Sequence, residues 1–397
     1  MSRLNLGRLG ALRSLIAVED GAFAEEVLAK HAPKGGSDRG LAWHLCLGTL
    51  RLQGALDQAI QPHLRQPIDK LDAPVRCALR MGTFEATQSR TPARAAVDQS
   101  VEAVRAVGYG RASGLVNAVL RKTSIGSISD DPVDNLPAWL AERWAPHTEW
   151  LRRIQSPARI NIAGTPPPDL DCEQARLGDH LVPDVWQLPE GIGAIPALDG
   201  FHEGAFWVMD PSAAHVADMV CEQVGPTGSV LDACAAPGGK SFRMVRHGLD
   251  VVAIDRETSR LDRMAKNIDR LGLELTLDQH DWMDGPHPSK ELFDAVLVDA
   301  PCSALGTVRR HPEILWRRQL GDLRAQSVIQ RQVLRNAARH VKPGGTLVYA
   351  VCSPEKEEGR EVVDSMSGWE VSGEWSSVPP HGDEDAFQAF VLHRGSE

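Results

Sequence analysis

Two cysteines stand at the ends of strand-like runs in the last third of this chain. Cys302 lies in Val298-Asp299-Ala300-Pro301-Cys302-Ser303, and Cys352 in Val348-Tyr349-Ala350-Val351-Cys352-Ser353. Upstream, Asp232-Ala233-Cys234-Ala235-Ala236-Pro237-Gly238-Gly239-Lys240 continues the apolar Ser229-Val230-Leu231. Methylating carbon 5 of a pyrimidine needs a thiolate nucleophile beside a methyl-donor pocket. That carbon is too poor a nucleophile to take a methyl group unaided. A thiolate adding to carbon 6 makes the ring enamine-like, so that carbon 5 can attack a sulfonium methyl. Loss of the carbon-5 proton then expels the thiolate. The thiolate must be populated near neutral pH, which Lys240 or local dipoles can assist. Asp299 can hydrogen-bond the base edge and favour electron flow toward N3. A paired base is out of reach, so the target must be unpaired or flipped. These residues alone leave open which cysteine attacks. Cys46, Cys77, Cys172 and Cys221 read as small packed hydrophobes, and Cys234 as part of a strand end.

The donor pocket is read from the turn at Pro237-Gly238-Gly239-Lys240. Its glycines let the backbone approach a ligand closely, and the following helix offers free N–H groups to a carboxylate. Asp255 ends the second strand-like run, where a carboxylate can accept both hydroxyls of a ribose. Arg260, early in the next helical run, joins the same set. Asp281, after the third strand, is either an acceptor for an adenine amino group or a turn aspartate. The loop is neither Gly-x-Gly-x-x-Gly nor Gly-x-x-x-x-Gly-Lys-Ser/Thr. A dinucleotide or a triphosphate therefore fits less well than a ligand with one ribose, one adenine and an amino-acid end. S-adenosylmethionine is such a ligand. The expected donor-binding residues are Cys234, Ala235, Ala236, Pro237, Gly238, Gly239, Lys240, Asp255, Arg260, Asp281 and Asp299. The expected catalytic residues are Cys352, Cys302, Asp299 and Lys240.

Positioning these side chains requires a sheet. From about residue 210, strand-like runs at 229–233, 251–255, 275–280, 295–299 and 346–351 alternate with helical runs such as 260–271 and 323–340. That rhythm implies βαβ units and a parallel sheet, with ligands at the carboxyl ends of its strands. Asp232, Asp255, Asp281, Asp299 and Cys352 all fall at such ends. Residues 4–123 instead read as helical, with Leu41, Leu45, Gly48 and Leu52, or Val97, Val101, Val104 and Gly108, at helical spacing. Breakers fall at 33–36, 62–67 and Thr91-Pro92. Gly126-Ser127-Ile128-Ser129-Asp130-Asp131-Pro132 has the composition of a linker, and a short helix is expected from Ala138. Residues 157–205, rich in Pro and Gly, read as a small mixed subdomain. The expected division is a helical domain over 1–125, a linker and small α+β subdomain over 126–209, and an α/β Rossmann-like domain over 210–397.

The 397 residues carry a net charge of −10, which looks wrong for a nucleic-acid binder. The average hides a pattern. Residues 1–125 hold 17 Lys+Arg against 11 Asp+Glu, and residues 300–342 hold nine against two. Local basic surfaces of this kind can bind phosphates while the rest of the chain stays acidic. The arginines of 309–318, beside Cys302 in sequence, are expected to contact RNA. Seven cysteines without a Cys-x-x-Cys pair argue against a disulfide framework and against structural zinc. No metal is expected, and a reducing cytoplasm is the expected compartment. No apolar run approaches a membrane span, so no membrane association is expected. Arg8 and Arg13 interrupt the first apolar stretch, so it reads as an amphipathic helix rather than a signal peptide.

The segments 232–241, 299–312 and 349–358 resemble the motifs of the RsmB (Sun/Fmu) family of bacterial ribosomal-RNA cytosine-5 methyltransferases. Ala95-Ala96-Val97-Asp98-Gln99-Ser100-Val101-Glu102-Ala103 and Gly114-Leu115-Val116-Asn117-Ala118-Val119-Leu120-Arg121-Lys122 resemble the NusB-type helical RNA-binding domain that heads that family. The resemblance implies an S-adenosylmethionine-dependent methyltransferase acting on a cytosine of small-subunit ribosomal RNA. It also implies that Cys352 attacks and Cys302 assists release. DNA cytosine-5 enzymes use the Pro-Cys cysteine and lack the second, so the pair favours RNA. Rival readings are a transfer-RNA cytosine-5 methyltransferase and a non-catalytic RNA-binding assembly factor. The chain departs from the family pattern at several positions. Val351 replaces Thr, Gly359 replaces Asn, Met209 replaces Gln, and His280 replaces Gly. Asp385-Ala386-Phe387-Gln388 replaces Asp-Gly-Phe-Phe.

Overall fold

A computed structural model describes residues 4–394. The chain packs into two compact units: residues up to Pro157 with Val308–Arg317, and Ala158–Thr307 with Arg318 onward. The expected middle segment, 126–209, is divided between them. Ala55 N–H donates to Asn135 Oδ1, which ties the 132–135 turn to the helical unit. Residues from Ala158 build a small sheet whose Ala163, Val182, Val185 and Trp207 share a core with Ala214 and Val216 of the second unit.

The helical unit runs through α1 (Leu6–Glu19), α2 (Ala24–His31), α3 (Ser37–Arg51), α4 (Gln53–Ile60), α5 (Ala73–Gln88), α6 (Ala93–Ala106), α7 (Ser113–Thr123), α8 (Ala138–Trp144) and α9 (Thr148–Ile154). The periodic apolar residues face one core, with Leu12, Leu45, Leu79, Val97, Val104 and Leu120 all buried. The Pro and Gly breakers fall between helices as expected. Charges also enter this interior. Arg80 grips Asp57 through two bonds of 2.7 Å and reaches Glu19 at 2.8 Å, while Arg76 binds Glu19 at 2.6 Å. Glu85, fully buried, is paired with Arg8. Removing one partner of a buried pair leaves an uncompensated charge and costs about 3–5 kcal/mol.

The second unit holds two sheets. β1 (Asn161–Gly164), β2 (Glu173–Leu177), β3 (His180–Gln187) and β4 (Phe206–Val208) form an antiparallel sheet of order β2-β3-β1-β4. After α10 (Pro211–Val224), capped by Asp210, come β5 (Ser229–Asp232), α11 (Gly239–Arg246), β6 (Asp250–Asp255), α12 (Thr258–Leu271), β7 (Thr276–Gln279) and β8 (Phe293–Asp299). Val308–Arg317, which contains α13 (Glu313–Arg317), belongs to the helical unit. The chain then forms α14 (Leu320–Ala337), β9 (Val341–Val351), α15 (Arg360–Val363), β10 (Trp369–Ser376) and β11 (Gln388–Arg394).

The larger sheet has order β10-β11-β9-β8-β5-β6-β7. β5 to β9 are parallel, while β10 and β11, which the sequence reading did not anticipate, add an antiparallel edge. Alternate residues feed two cores. Val230, Ala295, Leu297, Val348 and Ala350 face one cluster; Leu231, Val296, Val298, Leu347 and Tyr349 face the other. Burial on both faces is why these strands read as continuous apolar runs. Winding reverses at β5, with β6 and β7 on one side and β8 and β9 on the other. The crevice at the carboxyl ends of β5 and β8 is therefore the expected ligand position.

Candidate active site

β8 and β9 are hydrogen-bonded neighbours with Asp299 opposite Ala350, so both strands deliver their cysteines to one place. Cys302 Sγ and Cys352 Sγ lie 3.3 Å apart, both half-buried. Glu358, fully buried, holds the two loops together. It accepts from Ser303 N–H at 2.7 Å, from the Ser303 and Ser353 hydroxyls at 2.5 Å each, and from Gln330 Nε2 at 3.2 Å. Four donors fill the acceptor positions of one carboxylate. Gly306 N–H also donates to the Cys352 carbonyl at 3.0 Å. A Cβ at Gly306 would stand 2.0 Å from the Ala386 carbonyl oxygen, so only glycine permits that approach.

Cys302 is pushed well above the usual thiol range, first by its hydrogen bond to Cys352, then by burial and nearby negative charge including Glu358. Lys240 donates to Asp299 at 2.6 Å and lies 5.1 Å from the Phe387 ring centroid. Burial disfavours its ammonium, but Asp299, Asp232 and the Cys352 sulfur outweigh that and raise its pKa. Asp232, beneath this pair, is pushed up to about 7 by burial, with the charge of Asp299 adding to it against a bond from Ser241.

The cysteines open into a cavity of about 250 Å³ at the carboxyl ends of β5, β6 and β8. It brings together Cys234, Ala236, Pro237, Asp255, Arg260, Asp281, Asp299, Cys302 and Cys352 from the expected set. Asp255 accepts from Ala236 N–H and Glu257 N–H, and Arg260 stands 3.5 Å from it. Asp281 accepts from Met283 N–H, so it is a turn aspartate that also faces the cavity. Ala235, Gly238, Gly239 and Lys240 do not line it; Lys240 acts at its edge through Asp299. Gly238 has φ +109, and a Cβ there would lie 2.3 Å from the Phe242 ring, so its role is packing. At Gly239 a Cβ would meet only Trp207, at 3.8 Å, which leaves room beside the first turn of α11. A ligand with ribose, adenine and carboxylate fits these donors and acceptors.

Sequence reasoning missed several residues. Trp282 walls the cavity and donates to the Ala233 carbonyl at 2.6 Å. His280 and Met283 line it, and α14 contributes Ile329 and Val333. Glu358 carried a usable signal: an acidic residue six positions after Cys352, where the strand has ended. Two family departures prove to be neighbours. A Cβ at Gly359 would lie 2.3 Å from Gln388 Oε1, and Gln388 Nε2 donates to the Ser353 carbonyl at 2.7 Å. Three of the arginines of 309–318, the segment expected to contact RNA, are engaged within the fold. Arg309 donates to the Pro157 carbonyl, Arg317 to the Val18 and Ala22 carbonyls, and Arg318 to the Ser303 carbonyl. Those groups hold loops in place. Among the described residues no helix is long and apolar enough to cross a membrane.

Residues 222–372 match the family model of the 16S rRNA methyltransferase RsmB/F, and residues 7–124 match that of the NusB family. A protein of Xanthomonas campestris pv. campestris called ribosomal RNA small subunit methyltransferase B is 33% identical over 90% of this chain and 87% of its own. Its namesake from Salmonella typhi is 32% identical over 91% and 90%. Among solved structures, that of PH0851 covers 99% of this chain and all of its own, with a TM-score of 0.82 at 20% identity. A methyltransferase homologue from Pyrococcus horikoshii covers 68% with a TM-score of 0.51.

Proposed function

We propose that this chain, which belongs to the RsmB/F family of 16S rRNA methyltransferases, methylates carbon 5 of a cytosine in small-subunit ribosomal RNA through a covalent Cys352 adduct. One observation carries the reading most: two thiols 3.3 Å apart open into the cavity that also presents Asp255. S-adenosylmethionine supplies an electrophilic methyl group when bound there. Asp255 holds its ribose hydroxyls, Asp281 faces its adenine, and the start of α11 receives its carboxylate.

Cys352 adds as thiolate to carbon 6 of the cytosine, and the ring electrons move toward carbon 5. Asp299, fixed by Lys240, hydrogen-bonds the base edge and favours electron flow toward N3. With the new carbon–carbon bond formed, transfer of the carbon-5 proton to a water molecule returns an electron pair to the ring and expels the Cys352 thiolate. Cys302, held protonated by its raised pKa, donates its hydrogen bond to that leaving sulfur. Lys240 stabilises the same charge. RNA enters as an unpaired or flipped nucleotide.

Bisulfite sequencing of ribosomal and transfer RNA from a strain lacking this protein tests the assignment. One small-subunit cytosine should lose its methyl group. Loss confined to transfer RNA would favour the rival enzyme, and loss in neither would leave only a binding role.

A further inference from the structure

The basic residues that the sequence places after Cys302 include two sets, with Arg310 and Lys342 outside both. Those at 309, 317 and 318 donate to main-chain carbonyls. The later ones lie on one face of α14 and the turn 338–340: Arg324, Arg331 (which also reaches the Glu361 carbonyl at 3.5 Å), Arg335 and Arg339, at spacings of seven, four and four. Residues so spaced share a helical face and rise about 6 Å per step of four. Ile329 and Val333, on the opposite face, line the cavity that holds the cysteines. The stripe therefore begins on the helix that walls the active site and runs toward the amino-terminal edge of the sheet.

At its end is a concavity of about 450 Å³ that no step of the methylation uses. Arg335 and Arg339 enter it from one side. Arg394, the last residue of β11, enters from the other, 5.7 Å from the centroid of the Trp369 ring. Ser365 and Ser367 complete the rim. Arg335, Arg339 and Arg394 are exposed, and no carboxylate pairs with any of them among the described residues. Cations at a helix C-terminus complement its dipole, which accounts for Arg335 and Arg339. It does not account for Arg394, which arrives from another element, nor for a concave wall with an aromatic face. Convergent guanidinium groups without counter-charges beside an aromatic ring suit a nucleotide phosphate with its base or sugar.

We propose that this concavity, with the α14 stripe leading to it, binds backbone phosphates of the RNA substrate on the flank remote from the target base. The inference rests on the reading of RNA as substrate. Its test compares the full-length wild type with Arg335→Glu/Arg339→Glu and with Arg335→Lys/Arg339→Lys. Binding of small-subunit ribosomal RNA is measured across a salt series, and calorimetric S-adenosylmethionine affinity serves as the control for folding. The Glu pair should bind RNA at least tenfold more weakly. Its logarithmic salt slope should be shallower by about 1.4, as for two lost single-strand phosphate contacts. The Lys pair should keep most of the slope, and donor affinity should hold in both. A wild type that binds no RNA at all would sink the functional reading itself. RNA affinity and slope unchanged in the Glu pair would overturn only this site. In that case, pyrophosphate bound by the wild type and lost in the Glu pair would assign the concavity to a free phosphate ligand. No pyrophosphate binding would leave the arginines as partners of the helix end.

Discussion

The loops after β8 and β9 share a plan. In each a strand ends, a cysteine follows, and the next residue is a serine that donates to Glu358. Their surroundings differ. Cys302 sits in a turn where Ala304 has φ +61 and its N–H meets Cys302 Sγ at 3.4 Å, and its thiol is driven upward in pKa. Cys352 ends the long β9 and interacts electrostatically with the buried Lys240. On the reading proposed above, Cys302 is the proton holder and Cys352 the nucleophile.

The largest expected effect breaks this pairing at its reactive member. Cys352→Ala should lower the methyl-transfer rate by on the order of 10⁴-fold or more, as for other lost nucleophiles, with donor affinity intact. Single-turnover assays with labelled donor measure it; residual transfer within tenfold of wild type would refute the role. Next comes the clamp. Glu358→Ala orphans Ser303, Ser353 and Gln330 in the interior, at about 1–3 kcal/mol for each buried polar group left unpaired. Urea unfolding should show a loss of about 3–5 kcal/mol. Glu358→Gln, which keeps an acceptor, should recover part of it.

A third prediction concerns the carboxyl beneath both loops. Folded Asp232 keeps its proton up to about pH 7, whereas the unfolded chain releases it near 3.8. The folded state binds the extra proton, so the contribution is complete below pH 3.8 and disappears as pH rises through about 7. It amounts to roughly 4 kcal/mol. Asp232→Asn should flatten the fall of stability across that window, measured by chemical unfolding from pH 4 to 8. An identical pH profile in the variant would contradict it. The smallest effect touches the donor alone. Asp255→Ala removes charge-assisted hydrogen bonds of about 1.5–3 kcal/mol each and should weaken S-adenosylmethionine binding about 10- to 100-fold by calorimetry. Unchanged affinity in a folded variant would dismiss the ribose assignment.

Much of this was legible in the sequence because strand ends announce themselves. The apolar runs before Asp232, Asp255, Asp299 and Cys352 are real strands, and their order put these residues on one edge. The short helix from Ala138 and the breakers of the helical unit were also readable, being local. What escaped depends on distant partners. β10 alternates exposed and half-buried residues and pairs only with β11, so it showed no strong apolar run, whereas β11 holds the buried run Ala389-Phe390-Val391-Leu392 and was simply not read as a strand. Glu358 draws its meaning from serines 55 and five residues away. The arginines at 309 and 317 look identical in sequence to those at 335 and 339. Only the carbonyls of Val18, Ala22 and Pro157 distinguish them.

The contrast between the two thiols is tested most directly by trapping the adduct. Cys302→Ala and Cys352→Ala would each be incubated with S-adenosylmethionine and end-labelled ribosomal RNA, then run on a denaturing gel. If Cys352 attacks and Cys302 serves release, Cys302→Ala should transfer methyl and then stall. It should give a slow-migrating protein–RNA band that protease removes, and Cys352→Ala should give none. A band in Cys352→Ala and none in Cys302→Ala would reverse the roles and contradict the account.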